Sequence, residues 1–541
     1  MKYHDCPPEL ILFNGDFRTQ DHFRPRASAV AVALGHIVAV GNDDEVKSIA
    51  NSNTKFIDLE GRLGLPGMTD SHFHYYEWAL GRRNLTLADV KSFKELIDRV
   101  TLAVKKTSTG GWILGQGWNE SDWPENRMPT RNDLDVVAPS HPVALWRCDL
   151  HLTVINSRAL ELAGINEKTP DPLKGKIERD PAGRPTGILR ELAINLIRAV
   201  IPEPTEDEIF KALQEGITPL HALGLTGIHD IRLMDDKKGA AALRTWQRLR
   251  EIENLNLRCW VTLPGEHIDE AIALGLRTGF GDDRLRIGHL KFFADGGMGA
   301  RTAWMIEPYL DAEKGMPLIP MVELEEAIQK ADRAGLAVMV HAVGDRANRE
   351  LTCIFERLAK LTKPVATLPL VPHRIEHVQM IRSDDLARLA KLNINFCVQP
   401  HNMILDMNMV DEALGDKGRW VYAFRSLWDT GRPVMFSSDC PVCDPSPLVG
   451  IHAAITRQRK DGTPEDGWYP DSRVGIDEAI RSYTVIPALA HAQAHDLGSI
   501  TSGKLADIVV LDRNIYSINP MEIVDTKVDL TIFNGHIVYQ R

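Results

Sequence analysis

The sequence has no run of 18 or more apolar residues, so no membrane-spanning helix is expected. Cysteine is sparse: seven residues, at positions 6, 148, 259, 353, 397, 440 and 443, lie scattered over 541. That scatter and the odd count exclude a disulfide scaffold and leave reduced thiols in the cytoplasm as the expectation. Positive charge is in deficit, giving a net charge of −11, which argues against nucleic-acid and anionic-membrane partners. The first ten residues, MKYHDCPPEL, lack the basic-then-apolar order of a signal peptide. No repeat, low-complexity tract or phosphate-cradling loop stands out. GGWILGQG at 110–117 is glycine-rich, but it has no strand–helix context for a nucleotide site. Cys440 and Cys443 form a lone CxxC with neither a second ligand pair nor a thioredoxin-like setting, and they read as pocket-wall or packing thiols.

What remains is ordinary globular material, 44% hydrophobic and 25% charged, in a chain long enough for a large catalytic domain with satellites. Both ends read as short alternating strands. ELILFNGDF and ASAVAVALGHIVAVG open the chain, KLADIVVLD and VDLTIFNGHIVY close it, and each end carries an Asn-Gly turn. The middle alternates apolar runs with helical segments, the pattern of a parallel sheet. Strands are expected over 63–74, 224–230, 257–263, 284–295, 336–345, 373–379, 393–400 and 432–439, and Gly335 stands where a helix should stop. Eight strand–helix units point to a TIM-like (β/α)8 barrel in the α/β class, whose strand ends converge on one catalytic face. The expected division is a composite β-sandwich from 1–66 and 489–541 and a barrel over 67–488. The gap after the first strand is too long for a connection, so an insertion or cap is expected over about 77–216. The insertion holds Trp78, Trp112, Trp118, Trp123 and Trp146, which suit either an apolar pocket wall or the insertion's own core.

Chemistry-bearing residues gather at the expected strand ends. His72 and His74, two apart on a strand, share a face and can reach one metal ion. His341 and His377 end two further apolar runs, and neutral imidazole is the commonest nitrogen ligand of zinc. Asp439 follows the run PVMFSS, where a carboxylate can ligate metal and take a proton from water. Lys291 sits in RIGHLKFFAD, among apolar strand residues. Either it pairs with an acid such as Asp295, or burial lowers its pKa so that the neutral amine reacts with carbon dioxide to give a bridging carbamate. His229-Asp230 stands at the mouth of the second strand, where helix-capping or ion-pair roles serve equally well.

This set, with LPGMTDSHFH, NSRALELAGI, PTGILRE, LKFFADGGMGARTA, HAVGDRAN, RIEHVQ, FSSDCPV and GSITSGKLADIVVLD, resembles the amidohydrolase superfamily. Within it the chain looks like the YtcJ-like, family 3 amidohydrolases, the group that includes N-substituted formamide deformylases. The resemblance implies a binuclear site. His72, His74 and Asp439 would hold one ion, His341 and His377 the other, with carbamylated Lys291 between them. It implies about two Zn2+ per chain, with Mn2+, Fe2+ or Co2+ accepted by the same donors. It also implies a homodimer, and hydrolysis of a small non-peptide amide by metal-activated water with Asp439 as acid and base. Cyclic amide hydrolysis or deamination is the alternative, with lactone or ester hydrolysis behind it and an inactive structural relative as the reading from another class. Trp118, His151, Asp295, Arg301 and His401 are the candidate substrate contacts.

Overall fold

The computed structural model describes residues 6–232, 239–361 and 369–541, the side chains of Asp122 and Gly239 excepted. Its centre is an eight-stranded parallel sheet. The strands are β1 (Met68–Phe73), β2 (Leu225–Asp230), β3 (Arg258–Pro264), β4 (Leu285–Phe293), β5 (Val338–Ala342), β6 (His373–His377), β7 (Ile394–Val398) and β8 (Val434–Phe436), paired in sequence order. The sheet nearly closes on itself just past β8: the Asp439 amide donates to the His72 carbonyl at 2.9 Å, and the His74 amide to the Cys440 carbonyl at 2.8 Å. Apolar runs such as VMVHA and INFCV suit strands covered on both faces, and every residue of β5, β6 and β7 is buried. Helices on the outside complete the packing. Met321–Arg333 ends at Ala334, and Gly335 (φ 78°) takes the left-handed position while the Leu336 amide reaches back to the Ala331 carbonyl.

All the expected strands are present, but the first is two. Leu63–Pro66 leaves the barrel and pairs antiparallel with Ile508–Leu511, and only Met68–Phe73 enters it. Gly67 marks the division, since a Cβ there would stand 2.3 Å from Thr226 Oγ1. The chain ends meet in a six-stranded sheet running His536–Gln540, Val528–Phe533, Ile508–Leu511, Leu63–Pro66, Asp16–Arg18, Arg26–Ala27. The Asn534-Gly535 turn joins a hairpin in it. Asn14-Gly15 instead carries the chain from Leu10–Phe13, in a separate four-stranded sheet, to Asp16–Arg18. One apolar cluster, including Leu12, Val32, Ile508 and Ile532, draws on both sheets.

The insertion has its own six-stranded sheet, from Leu85–Thr86 through Ile113–Trp118, Val143–Arg147, Leu152–Ile155 and Pro185–Glu191 to Gly175–Arg179. GGWILGQG supplies one of its strands. The helix Glu206–His221, which the expected boundary near 216 cuts through, packs Ile209, Leu213, Ile217 and Leu220 into the barrel cluster, so the insertion ends before it. Trp118 and Trp123 lie in the insertion's core, with the Trp118 indole donating to the Leu145 carbonyl at 3.0 Å. Trp118→Ala is therefore expected to destabilise the insertion by about 3–5 kcal/mol, seen as new protease cleavage within 85–191 while the barrel stays resistant. Among the described residues no helix is long and apolar enough to cross a membrane.

Candidate metal centre

At the C-terminal ends of the strands, His72, His74, Lys291, His341, His377 and Asp439 line one cavity, together with Asp149, His151, Glu191 and Arg198 from the insertion. The four imidazoles form a chain, with ring centroids 5.3 Å apart for His74 and His72, 5.0 Å for His72 and His377, and 4.5 Å for His377 and His341. Regular alternation would turn neighbours Glu376 and His377 to opposite faces of β6, yet both reach the His72 ring. The left-handed backbone at His377 (φ 68°) makes that possible, and Asp439 (φ 59°) is turned in the same way after β8. Such non-glycine conformations cost about 1–3 kcal/mol each and persist where the surroundings over-determine them.

Each ring has one nitrogen already engaged by an acceptor. His72 Nδ1 bonds the Glu376 carboxylate, His74 Nδ1 the Ile231 carbonyl at 3.1 Å, His377 Nδ1 the Gln399 side-chain oxygen at 2.8 Å, and His341 Nε2 the Gly296 carbonyl at 3.3 Å. Those nitrogens must carry the hydrogen, so the other nitrogen of each ring presents a lone pair. Burial, reinforced by the nearby Lys291 charge, lowers the His72 pKa to about 3, and burial first of all holds His341 and His377 below the usual range. His72 Nε2 and His74 Nε2 then point lone pairs at Asp439 Oδ1 from 3.3 and 3.1 Å, while Oδ1 is buried with no hydrogen-bond donor. Three electron-pair donors converging without a proton between them fit a cation.

Lys291 is buried beside them, and among the described residues its amine makes no hydrogen bond, only a contact 4.7 Å from the Phe293 ring centroid. Desolvation lowers its pKa to about 8. The expected partner Asp295 is taken: its carboxylate accepts the amides of Val343 (3.0 Å), Gly344 (2.8 Å) and Trp304 (2.8 Å).

Of the five candidate substrate contacts, only His151 lines the cavity. Trp118 is insertion core, and Asp295 organises the loop after β4. Arg301 is held by Asp311 at 2.8 Å, and His401 stands beside Asp444 at the start of the helix Pro400–Leu414. Cys440 and Cys443 are buried free thiols that do not line the cavity, and Cys443 Sγ donates to Asn402 Oδ1 at 2.7 Å. His229 and Asp230 are also structural: His229 lies under Arg374, and Asp230 binds the Trp246 indole at 2.7 Å. A second cavity at the other end of the barrel, walled by Trp260, Gln493, Arg258 and Asp507, has these groups paired with each other, Trp260 to Gln493 at 2.7 Å.

Sequence reasoning missed the support beneath the site. Arg374 and Glu376, two apart on β6 and wholly buried, form a forked ion pair (Nη2 to Oε2, 2.9 Å), and Arg374 also binds the Ser71 carbonyl at 2.6 Å. Two opposite charges at that spacing inside an apolar run were the available signal, because buried charges must be paired. Asp70 was missed as well. It ties β1 to the turn after β8 by accepting the His72 amide at 3.1 Å and the Ser438 hydroxyl at 2.5 Å.

A parallel barrel with histidines, a lysine and a carboxylate at its strand ends is the architecture of a metal-dependent hydrolase. The model of the amidohydrolase family matches residues 55–539, and the chain belongs to that family. It is accordingly a metal-dependent amidohydrolase, acting on carbon–nitrogen bonds. Similar proteins include LONG AFTER FAR-RED 3 of Arabidopsis thaliana, 30% identical over 94% of this chain and 87% of the relative. The putative amidohydrolase YtcJ of Bacillus subtilis is 29% identical over 95% and 96%, and N-substituted formamide deformylase of Arthrobacter pascens 28% over 98% of both. Among solved structures, an uncharacterized metal-dependent hydrolase from Pyrococcus horikoshii aligns with TM-score 0.75 and 28% identity, over 94% of this chain and 99% of its own.

Proposed function

We propose that the chain hydrolyses the C–N bond of a small non-peptide amide, with an N-substituted formamide as the favoured class. The observation that carries the reading is the convergence of His72 Nε2, His74 Nε2 and the donorless Asp439 Oδ1, which calls for a divalent cation. His72, His74 and Asp439 would hold one ion, and His341 and His377 a second, with Lys291 as a carbamate between them. The imidazole-rich set favours Zn2+, and Mn2+, Fe2+ or Co2+ suit the same donors. Bound there, such ions supply a Lewis acid and lower the pKa of water towards neutrality.

The chain's own groups do the rest. Leu150, Leu192, Ile194, Phe293 and Val442 wall the cavity with apolar surface that suits an uncharged N-alkyl or N-aryl group. Asp439 takes the proton of the attacking water as its oxygen bonds to the carbonyl carbon, then passes that proton to the nitrogen as the C–N bond breaks. The products are a carboxylate and an amine. Cyclic amide hydrolysis and deamination are the alternative uses of the same groups. The buried amine of Lys291 favours a two-ion site, and with it the amide reading.

Dialysis against a chelator is expected to abolish hydrolysis in a panel of N-alkylformamides, acyl amides, cyclic amides and lactones, and Zn2+ with bicarbonate to restore it. Turnover of lactones with no turnover of any amide would overturn the C–N assignment. Recovery should also depend on pH through Lys291. The amine reacts with carbon dioxide only when neutral, and with a pKa of about 8 its neutral fraction rises about tenfold from pH 7 to 9 and then levels off. At fixed dissolved carbon dioxide, the reconstitution rate should follow that curve. A rate still climbing steeply above pH 9 would show an ordinary lysine instead.

A further inference from the structure

We propose that His151, carried over the metal centre by the insertion and oriented by Glu191, donates a hydrogen bond from Nε2 to the substrate's carbonyl oxygen and afterwards to the product carboxylate. This rests on the reading of the cavity as an amide-hydrolysing site. It assigns the insertion a part in binding the reacting group rather than only covering it.

His151 is built into place. It lies in the turn after the insertion strand Val143–Arg147, where Leu150 takes a left-handed conformation (φ 60°) and the His151 amide donates to Asp149 Oδ1 at 3.0 Å. Its Nδ1 is 2.8 Å from Glu191 Oε2. Glu191 is fixed in turn by the Thr302 hydroxyl, 2.9 Å from Oε1, on the loop that follows β4. The ring lies against Gly297 of that loop, where a Cβ would come within 3.3 Å of it. The neighbouring Gly296 carbonyl holds His341. One loop therefore registers the insertion's histidine against the barrel's.

Charge makes that ring a donor at both nitrogens. The cation of Asp149 is Arg147, at 2.7 Å, while the largely buried Glu191 carboxylate pairs with His151 at 2.8 Å. Burial opposes protonation of His151, but Glu191, followed by Asp149 and Asp439, raises its pKa to about 9. With Nδ1 committed to Glu191, Nε2–H has no protein partner among the described residues, and the ring borders the cavity that holds His341 and Asp439. A fixed N–H donor aimed where negative charge develops on the carbonyl oxygen stabilises the transition state, and removing one such donor typically costs 10²–10³-fold in turnover.

The test uses the zinc-loaded chain with formate and acetate as probes, since a carboxylate is the acyl product of any simple amide. His151→Phe should weaken formate and acetate binding at least about tenfold by calorimetry, with zinc content unchanged and the chain still folded at the assay temperature, although Tm falls because the Glu191 carboxylate loses its counter-ion. His151→Gln, which keeps an N–H donor, should recover part of that affinity, and Glu191→Gln should lose part of it. Binding to His151→Phe within twofold of the native protein would overturn the proposal, as would a loss of zinc parallel to the loss of binding. Native turnover that survives chelation would instead overturn the metal-hydrolase reading, and the formate comparison would still decide the role of His151.

Discussion

Asp439→Asn is expected to lower kcat/KM by at least about 10³-fold in a chain that still folds. The substitution keeps the shape of the side chain, and asparagine tolerates the left-handed backbone (φ 59°) that an alanine would strain. The backbone link from the Asp439 amide to the His72 carbonyl, 2.9 Å, is untouched, so the closure of β1 against the end of β8 should persist. What disappears is the anion among the imidazoles, the carboxylate assigned the proton transfer between water and the leaving nitrogen. Steady-state kinetics beside metal analysis and thermal denaturation would check this. Activity within tenfold of the native enzyme, on an intact fold, would remove Asp439 from the chemistry.

The second large effect is expected one layer deeper. Glu376 accepts from His72 Nδ1 and is clamped by Arg374, both wholly buried. Glu376→Gln frees the His72 ring to adopt the wrong tautomer and leaves the Arg374 guanidinium without its counter-ion. Metal affinity should fall about 10–100-fold, as is usual when such a supporting carboxylate is lost. Stability should fall by about 3–5 kcal/mol, because an unpaired charge stays buried. The double substitution Arg374→Met with Glu376→Gln separates the two effects. It should recover most of the stability and little of the metal affinity, measured by urea denaturation and by titration against a competing chelator. Recovery of both together would mean that the pair serves packing alone.

Much of this was legible in the sequence because the barrel repeats one local pattern. Continuous apolar runs ending in His72, His341, His377 or Asp439 gave both the strands and their functional ends. Three features resisted that reading. Glu376 and His377 share a site only because His377 leaves regular strand geometry, and a period of two assigns such neighbours to opposite faces. Trp118 looked like a pocket residue because composition cannot tell an aromatic wall from an aromatic core; its packing with Trp123 and Leu134 decides for the core. Residues 63–74 read as one strand, and the tight fit of Gly67 against Thr226, a contact between distant segments, is what splits them. In each case local pattern was overridden by a tertiary contact that no window of sequence contains.

Lone pairs on His72, His74, His341 and His377, with Asp439 and Lys291, are arranged to hold metal. Metal analysis of the chain reconstituted with Zn2+ and bicarbonate tests it most directly, read beside His74→Ala and His341→Ala variants. About two ions per native chain and about one in each variant are expected, with hydrolysis lost along with them. A native chain that hydrolyses amides with no bound metal, or variants that keep the full complement, would contradict it.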